Sequence, residues 1–146
     1  MNILVDTNVL LRLSDTGSDE HMLCNEAVPR LLQRGDLLHI CAQVVIEYWV
    51  VATRPQTVNG LGFEPEETET ELRDFEKWFA ALPEPDDIAR RWRRIVNQYR
   101  VCGKPAHDAR LVAFMEAHGL THILTLNTAD FARYTNLTAL HPSDVR

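Results

Sequence analysis

Three kinds of pattern are missing from this sequence. Cys24, Cys41 and Cys102 form no Cys-x-x-Cys pair. An odd, scattered set of this kind excludes a disulfide framework and argues against zinc, so free thiols in a reducing cytosol are the simplest account. No Gly-x-Gly-x-x-Gly follows an apolar strand, which sets aside a dinucleotide-binding domain. No apolar run exceeds Tyr48–Ala52 in length, far short of the roughly 20 residues that cross a bilayer. The first thirteen residues already carry Asp6 and Arg12 and have no basic leader, so no signal peptide is expected and a soluble cytoplasmic protein is. Positive charge is also scarce. Fifteen Lys and Arg stand against 21 Asp and Glu, a net −6, which argues against broad electrostatic capture of nucleic acid. It leaves room for a local site whose charge comes partly from bound metal.

What is present is an alternation of elements without repeats. The 146 residues, 45% of them hydrophobic, suffice for a single domain over residues 1–146 that buries roughly 68–70% of its unfolded surface. Residues 2–6 read as a buried strand, followed by a short helix through Val9, Leu10, Leu11 and Leu13. A helix from about Glu20 to Arg34 stops at Gly35. Residues 37–40 form a second strand, and Gln43–Thr53 is apolar almost all round, a buried helix. Arg54–Glu64 is a loop. Pro65 opens a helix burying Leu72, Phe75, Phe79 and Leu82, ended by Pro83 and Pro85. Ile88, Trp92, Ile95, Val96 and Tyr99 stripe the next helix. A helix over about His107–His118 precedes a strand at His122–Leu126, a short helix at Ala129–Tyr134, and an edge strand at Leu137–Leu140. The pattern predicts an α/β fold: a parallel sheet sandwiched by helices, with the two helices between Pro65 and Tyr99 inserted as a clip that adds no strand.

Four carboxylates stand out. Asp6 ends the Ile3-Leu4-Val5 strand, where ligands bind in open α/β sheets; a turn and helix cap is the plainer account of Asp6-Thr7-Asn8. Glu47 interrupts the most apolar part of the chain, where an unpaired charge is costly; an ion pair to Arg12 or another arginine, or one exposed stripe, is its plainer account. Asp108 and Asp130 lie near helix starts, where acids favour the macrodipole by about 0.3–1 kcal/mol. Crossover helices begin at the C-terminal edge of a parallel sheet, so all four acids are expected to meet there. Such a cluster takes up protons unless a cation neutralises it. Oxygen-only ligands select Mg2+, or Mn2+, over zinc and copper, and the chemistry that follows is displacement at phosphorus.

Ile3-Leu4-Val5-Asp6-Thr7-Asn8, Glu47, His107-Asp108-Ala109 and Thr125-x-Asn127-x-x-Asp130-Phe131, in this order and at this length, resemble the PIN-domain ribonucleases. The resemblance covers essentially the whole chain, and its free-standing size looks like the VapC toxins of bacterial toxin–antitoxin pairs. It implies a Mg2+-dependent endoribonuclease, often dimeric, silenced by a small antitoxin protein. Asp6, Glu47, Asp108 and Asp130 match the family's metal-binding acids, and Thr7 and Asn127 match its supporting polar positions. No acid is missing, so activity is the expectation.

Lys104 and Arg110 flank Asp108 and are the expected phosphate contacts to RNA. The run Arg90-Arg91-x-Arg93-Arg94 reads first as a solvated helix face, with RNA or an acidic antitoxin segment as the sharper alternative. His107 is expected as a cap or hydrogen-bond donor, Arg54 as structural, and Trp49, Trp78 and Trp92 as core or dimer contacts rather than base-stacking platforms. Two rival functions stay open: a catalytically silent metal-binding module, and an aspartate-nucleophile phosphatase, which would usually carry Asp-x-Asp where this chain has Asp6-Thr7-Asn8.

Overall fold

The computed structural model describes residues 1–146. Its centre is β1 (Asn2–Val5), where Ile3, Leu4 and Val5 have no solvent exposure at all. A run apolar on both faces belongs in a strand covered from both sides. β1 pairs in parallel with β2 (Leu37–Ile40) on one side and β4 (His122–Leu124) on the other. The edges are β3 (Ala80–Ala81) beside β2 and β5 (Thr138–Leu140) beside β4. All five strands are parallel, in the order β3-β2-β1-β4-β5. The strand order therefore reverses between β1 and β4, and that reversal opens a crevice beyond the strand ends.

Six helices connect the strands: α1 (Thr7–Ser14), α2 (His21–Gln33), α3 (Ala42–Thr53), α4 (Pro65–Phe75), α5 (Ile88–Gln98) and α6 (Ala106–Ala117). Past the end of α2, Gly35 takes φ +84°, and its N–H and that of Asp36 return to Leu32 and Leu31 carbonyls, the bonding pattern that a left-handed residue makes possible. The loop after α3 is tight. Gly62 donates to the Arg54 carbonyl, and a Cβ at Gly60 would lie 1.8 Å from that same oxygen, which gives Arg54 a structural part.

Three expectations change. The helix begun at Pro65 ends at Phe75 rather than at Pro83: Phe79 is buried from the following turn, its N–H bonded to the Phe75 carbonyl. Phe75 meets Tyr48 edge-on at 5.4 Å and Phe79 at 5.9 Å, so the helical spacing of these aromatics reflects one cluster and not one helix. The segment between Pro65 and Tyr99 also adds a strand, β3, and its helices lie against α3 and α6; it is part of the wall. Near the chain end, residues 128–131 form a single 3-10 turn in place of a helix to Tyr134. No helix is long and apolar enough to cross a membrane.

Candidate active site

Asp6 occupies the first position beyond β1. Its backbone N–H bonds to the Leu124 carbonyl of β4 at 3.0 Å, so the residue straddles the reversal point. Its side chain is buried and caps α1, Oδ1 accepting from the Thr7 N–H at 2.8 Å. Oδ2 accepts from the Thr125 hydroxyl at 2.7 Å and from Asn8 Nδ2 at 3.0 Å. The cap and the candidate ligand are thus one residue. Asn8 ties both sides of the crevice together, since its Nδ2 also reaches Thr125 Oγ1 at 3.1 Å and its Oδ1 accepts from the Leu126 N–H at 3.1 Å.

Glu47 reaches the crevice from α3. Thr7 Oγ1 donates to its Oε2 at 2.9 Å and Gln43 Nε2 to its Oε1 at 3.0 Å. The ion pair to Arg12 does not form; Arg12 is engaged by Glu20 at 2.8 Å and Asp15 at 3.6 Å. Behind Glu47 stands a chain of contacts. Gln43 Nε2 also donates to the His107 carbonyl at 2.9 Å, Arg110 Nη1 donates to Gln43 Oε1 at 2.9 Å, and Arg110 Nη2 meets Glu84 Oε1 at 2.5 Å. Arg110, expected at a phosphate, is therefore committed to Glu84 and Gln43, and it holds the first turn of α6 against α3. Lys104 is exposed ahead of α6 with no ion pair.

Asp108 sits in that first turn of α6, half-buried. Burial first, then the negative charges of Asp6, Asp130 and Glu47, push its carboxyl up to about 6, against a small opposing pull from His107. The Asp6 carboxyl is likewise raised by burial and, more weakly, by Glu47 and Asp130, while its bonds to Thr125 and Thr7 act the other way. Asp130 is exposed on the 3-10 turn after β4. The charges of Asp6, Glu47 and Asp130, carried by three other elements, thus all bear on Asp108.

No three His, Cys, Asp or Glu side chains are close enough to form a ready metal cage. The donor chemistry nonetheless fits a hard divalent cation. The groups are all carboxylate oxygens, two of them are raised in pKa by burial and mutual repulsion, and Mg2+ keeps several waters while taking one or two carboxylates directly.

Other expectations need correcting in detail. Asn127 makes no side-chain cap bond; its backbone N–H donates to Thr125 Oγ1 at 3.1 Å, and the support expected of it comes from Thr125 and Asn8. His107 contributes its carbonyl rather than its ring. Gln43 and Glu84 were not singled out by sequence. Gln43 lies four residues before Glu47 on one helix, a spacing that places the two side chains together; Glu84 leaves no such local mark.

The comparisons with known proteins follow the same outline. The family model described as PIN domain matches residues 3–137. The chain is a PIN domain. No curated protein matches it. Among solved structures, this PIN domain is similar to a chain of VapBC2 from Rickettsia felis bound to a DNA fragment from their promoter, with TM-score 0.70 and 16% identity over 97% of this chain and 98% of that one. It is also similar to a toxin–antitoxin complex from Klebsiella pneumoniae, with TM-score 0.64 and 23% identity over 96% and 97%. A third is the Mycobacterium tuberculosis toxin VapC20, which cleaves the sarcin–ricin loop, with TM-score 0.58 and 15% identity over 83% and 86%. At these identities the likeness is one of fold.

Proposed function

We propose that this PIN domain is the endoribonuclease toxin of a toxin–antitoxin pair, using Mg2+ or Mn2+ to hydrolyse RNA to 3′-hydroxyl and 5′-phosphate ends. The observation that carries this reading is the meeting of Asp6, Glu47, Asp108 and Asp130 at the strand-order reversal, close enough to help raise Asp108 to about 6. The family and the toxins among its structural neighbours support it.

Asp6 and Asp108, the two of the four acids whose carboxyls are raised, would hold the cation, with Glu47 and Asp130 completing the negative field. A bound divalent ion supplies Lewis acidity toward the phosphodiester and the attacking water. The chain's own residues do the positioning. Thr125, Asn8 and the Thr7 N–H fix both oxygens of Asp6, and Thr7 with Gln43 fixes those of Glu47. Water attacks phosphorus, the bond to the 3′ oxygen breaks, and that oxygen takes a proton. The ribose 2′-hydroxyl plays no part.

A small antitoxin is the expected protein partner, as in the complexes of the neighbours, and the cytoplasm the expected location. A homodimer through α3 suits its outer face, where Ile46 and Val50 are 63% and 54% exposed.

The deciding experiment is cleavage of total cellular RNA by purified protein with Mg2+, with EDTA, and with Asp6→Asn. Metal-dependent cuts at discrete sites, lost on substitution, support the reading. Ends carrying 2′,3′-cyclic phosphate reject the mechanism, and no cutting with Mg2+ or Mn2+ by folded protein moves the function to a silent binding module.

A further inference from the structure

One groove adjoins the acidic crevice and shares one residue with a second. The first, about 390 Å³, is lined by Ile88, Ala89, Trp92, Ala106, His107 and Arg110. The second, on the outer face of α5, is lined by Ala89, Arg90, Arg93, Arg94 and Asn97. His107 adjoins Asp108 in sequence, and Ala89 is exposed between the two grooves. A continuous strip therefore runs from Asp108, past His107 and Trp92, over Ala89 to the arginines.

We propose that this strip is the path of single-stranded RNA away from the scissile phosphate, with one base against Trp92 and the next phosphates on Arg90 and Arg93. The path extends the nuclease reading above, on which its direction rests. The chemistry of each groove selects its occupant. In the first, the Trp92 indole N–H is bonded to the Ala106 carbonyl at 2.7 Å, which fixes the ring as a wall, and most of the other lining is apolar. Arg110, the one permanent cation there, is already neutralised by Glu84. A flat, uncharged group fits that space, and a phosphate does not; bases stack on such rings whatever their sequence.

The second groove is the opposite case. Arg91 is paired with Asp87 and Glu116, and Arg94 with Glu116. Arg90 and Arg93, exposed and three residues apart, face no acid within pairing distance. Residues at this spacing share one helix face. On a chain of net charge −6, two unpaired guanidiniums beside a base-sized apolar groove are suited to a polyanion that carries bases. An acidic protein segment would use the arginines but has no need of the Trp92 groove leading to Asp108.

The test is titration of a short fluorescent single-stranded oligouridylate, without divalent metal and over a range of salt, with the RNA checked for intactness afterwards. Arg90→Gln/Arg93→Gln is expected to bind about tenfold more weakly, with its salt slope reduced by about 1.4, since each phosphate neutralised on a single strand adds ~0.7 to that slope. Ala89→Glu, at an exposed helical position, is expected to weaken binding similarly by placing a carboxylate in the path. Trp92→Leu should bind about 5- to 150-fold more weakly, the range for one stacked base, with Trp92→Phe retaining most of the affinity. An unchanged affinity and salt slope in the arginine and Ala89 variants would overturn the proposal, as would wild-type protein that binds no RNA. Arginine-dependent binding without any cleavage sinks the nuclease and keeps the path. Cleavage with an arginine-independent KM sinks the path and keeps the nuclease.

Discussion

Thr125 donates a 2.7 Å hydrogen bond to Asp6 Oδ2 across 119 residues of sequence, and the same hydroxyl accepts from Asn8 and from the Asn127 N–H. One side chain therefore aims the central carboxylate and satisfies two neighbouring donors. Thr125→Val keeps the shape and removes all three hydrogen bonds. Bonds to charged groups are worth about 1.5–3 kcal/mol, so urea melts should show a loss of about 2 kcal/mol, with RNA cleavage falling further than the loss of folded protein explains.

Asp108 points the other way, toward function held at a cost in stability. A carboxyl whose folded-state pKa is raised destabilises the fold once ionised. That cost is absent below the unfolded value near 3.8, grows up to about 6, and is fully present above it. Asp108→Asn should therefore stabilise the metal-free protein at pH 7.5. The upper limit is about 3 kcal/mol, and partial exposure and screening reduce it to about 1–2 kcal/mol. Thermal melts should show the advantage shrinking below pH 6 and vanishing by about pH 4, while cleavage is lost at every pH.

The contacts running from Glu84 through Arg110 and Gln43 to Glu47 act as one support. Arg110→Met should lower cleavage about 10- to 100-fold, the range for residues that orient metal ligands, chiefly by weakening apparent Mg2+ affinity. Gln43→Met should act in the same direction. The double variant should be little worse than either single one, because both remove the same chain. Additive losses in a Mg2+ titration of activity would show that they act separately.

The exposed pair on α3 gives a fourth prediction. Ile46→Glu together with Val50→Glu should leave the secondary structure intact and convert a dimer to a monomer in sedimentation velocity. A wild-type protein that sediments as a monomer at all concentrations would overturn the dimer.

Much of this arrangement is written locally. Ile3-Leu4-Val5 followed by Asp6 marks the end of a strand covered on both faces, and Glu47 is conspicuous because everything around it is apolar. The end of α4 is not legible, since Phe75, Phe79 and Leu82 keep helical spacing while the chain turns beneath them. β3 is invisible for a different reason: two exposed alanines carry no strand preference, and their pairing is decided by β2. The same holds at the crevice. Thr125 outranks Asn127 because β4 ends at Leu124, which puts the hydroxyl and not the amide beside Asp6. Glu84, in the loop between β3 and α5, meets Arg110 across 26 residues, a pairing set by how that loop lies against α6.

The order β3-β2-β1-β4-β5 has a consequence for the chain while it is being made. Until β4 emerges, β1 has one edge unpaired and Asp6 lacks the hydroxyl that aims it. Asp108 and Asp130 also come from the last third of the sequence. A growing polypeptide, or one cut short before Ile123, lacks Thr125 and Asp130 and cannot close the crevice. On the proposed nuclease reading, RNA cleavage becomes possible only when synthesis is nearly finished, so an inhibitor translated beforehand would already be waiting.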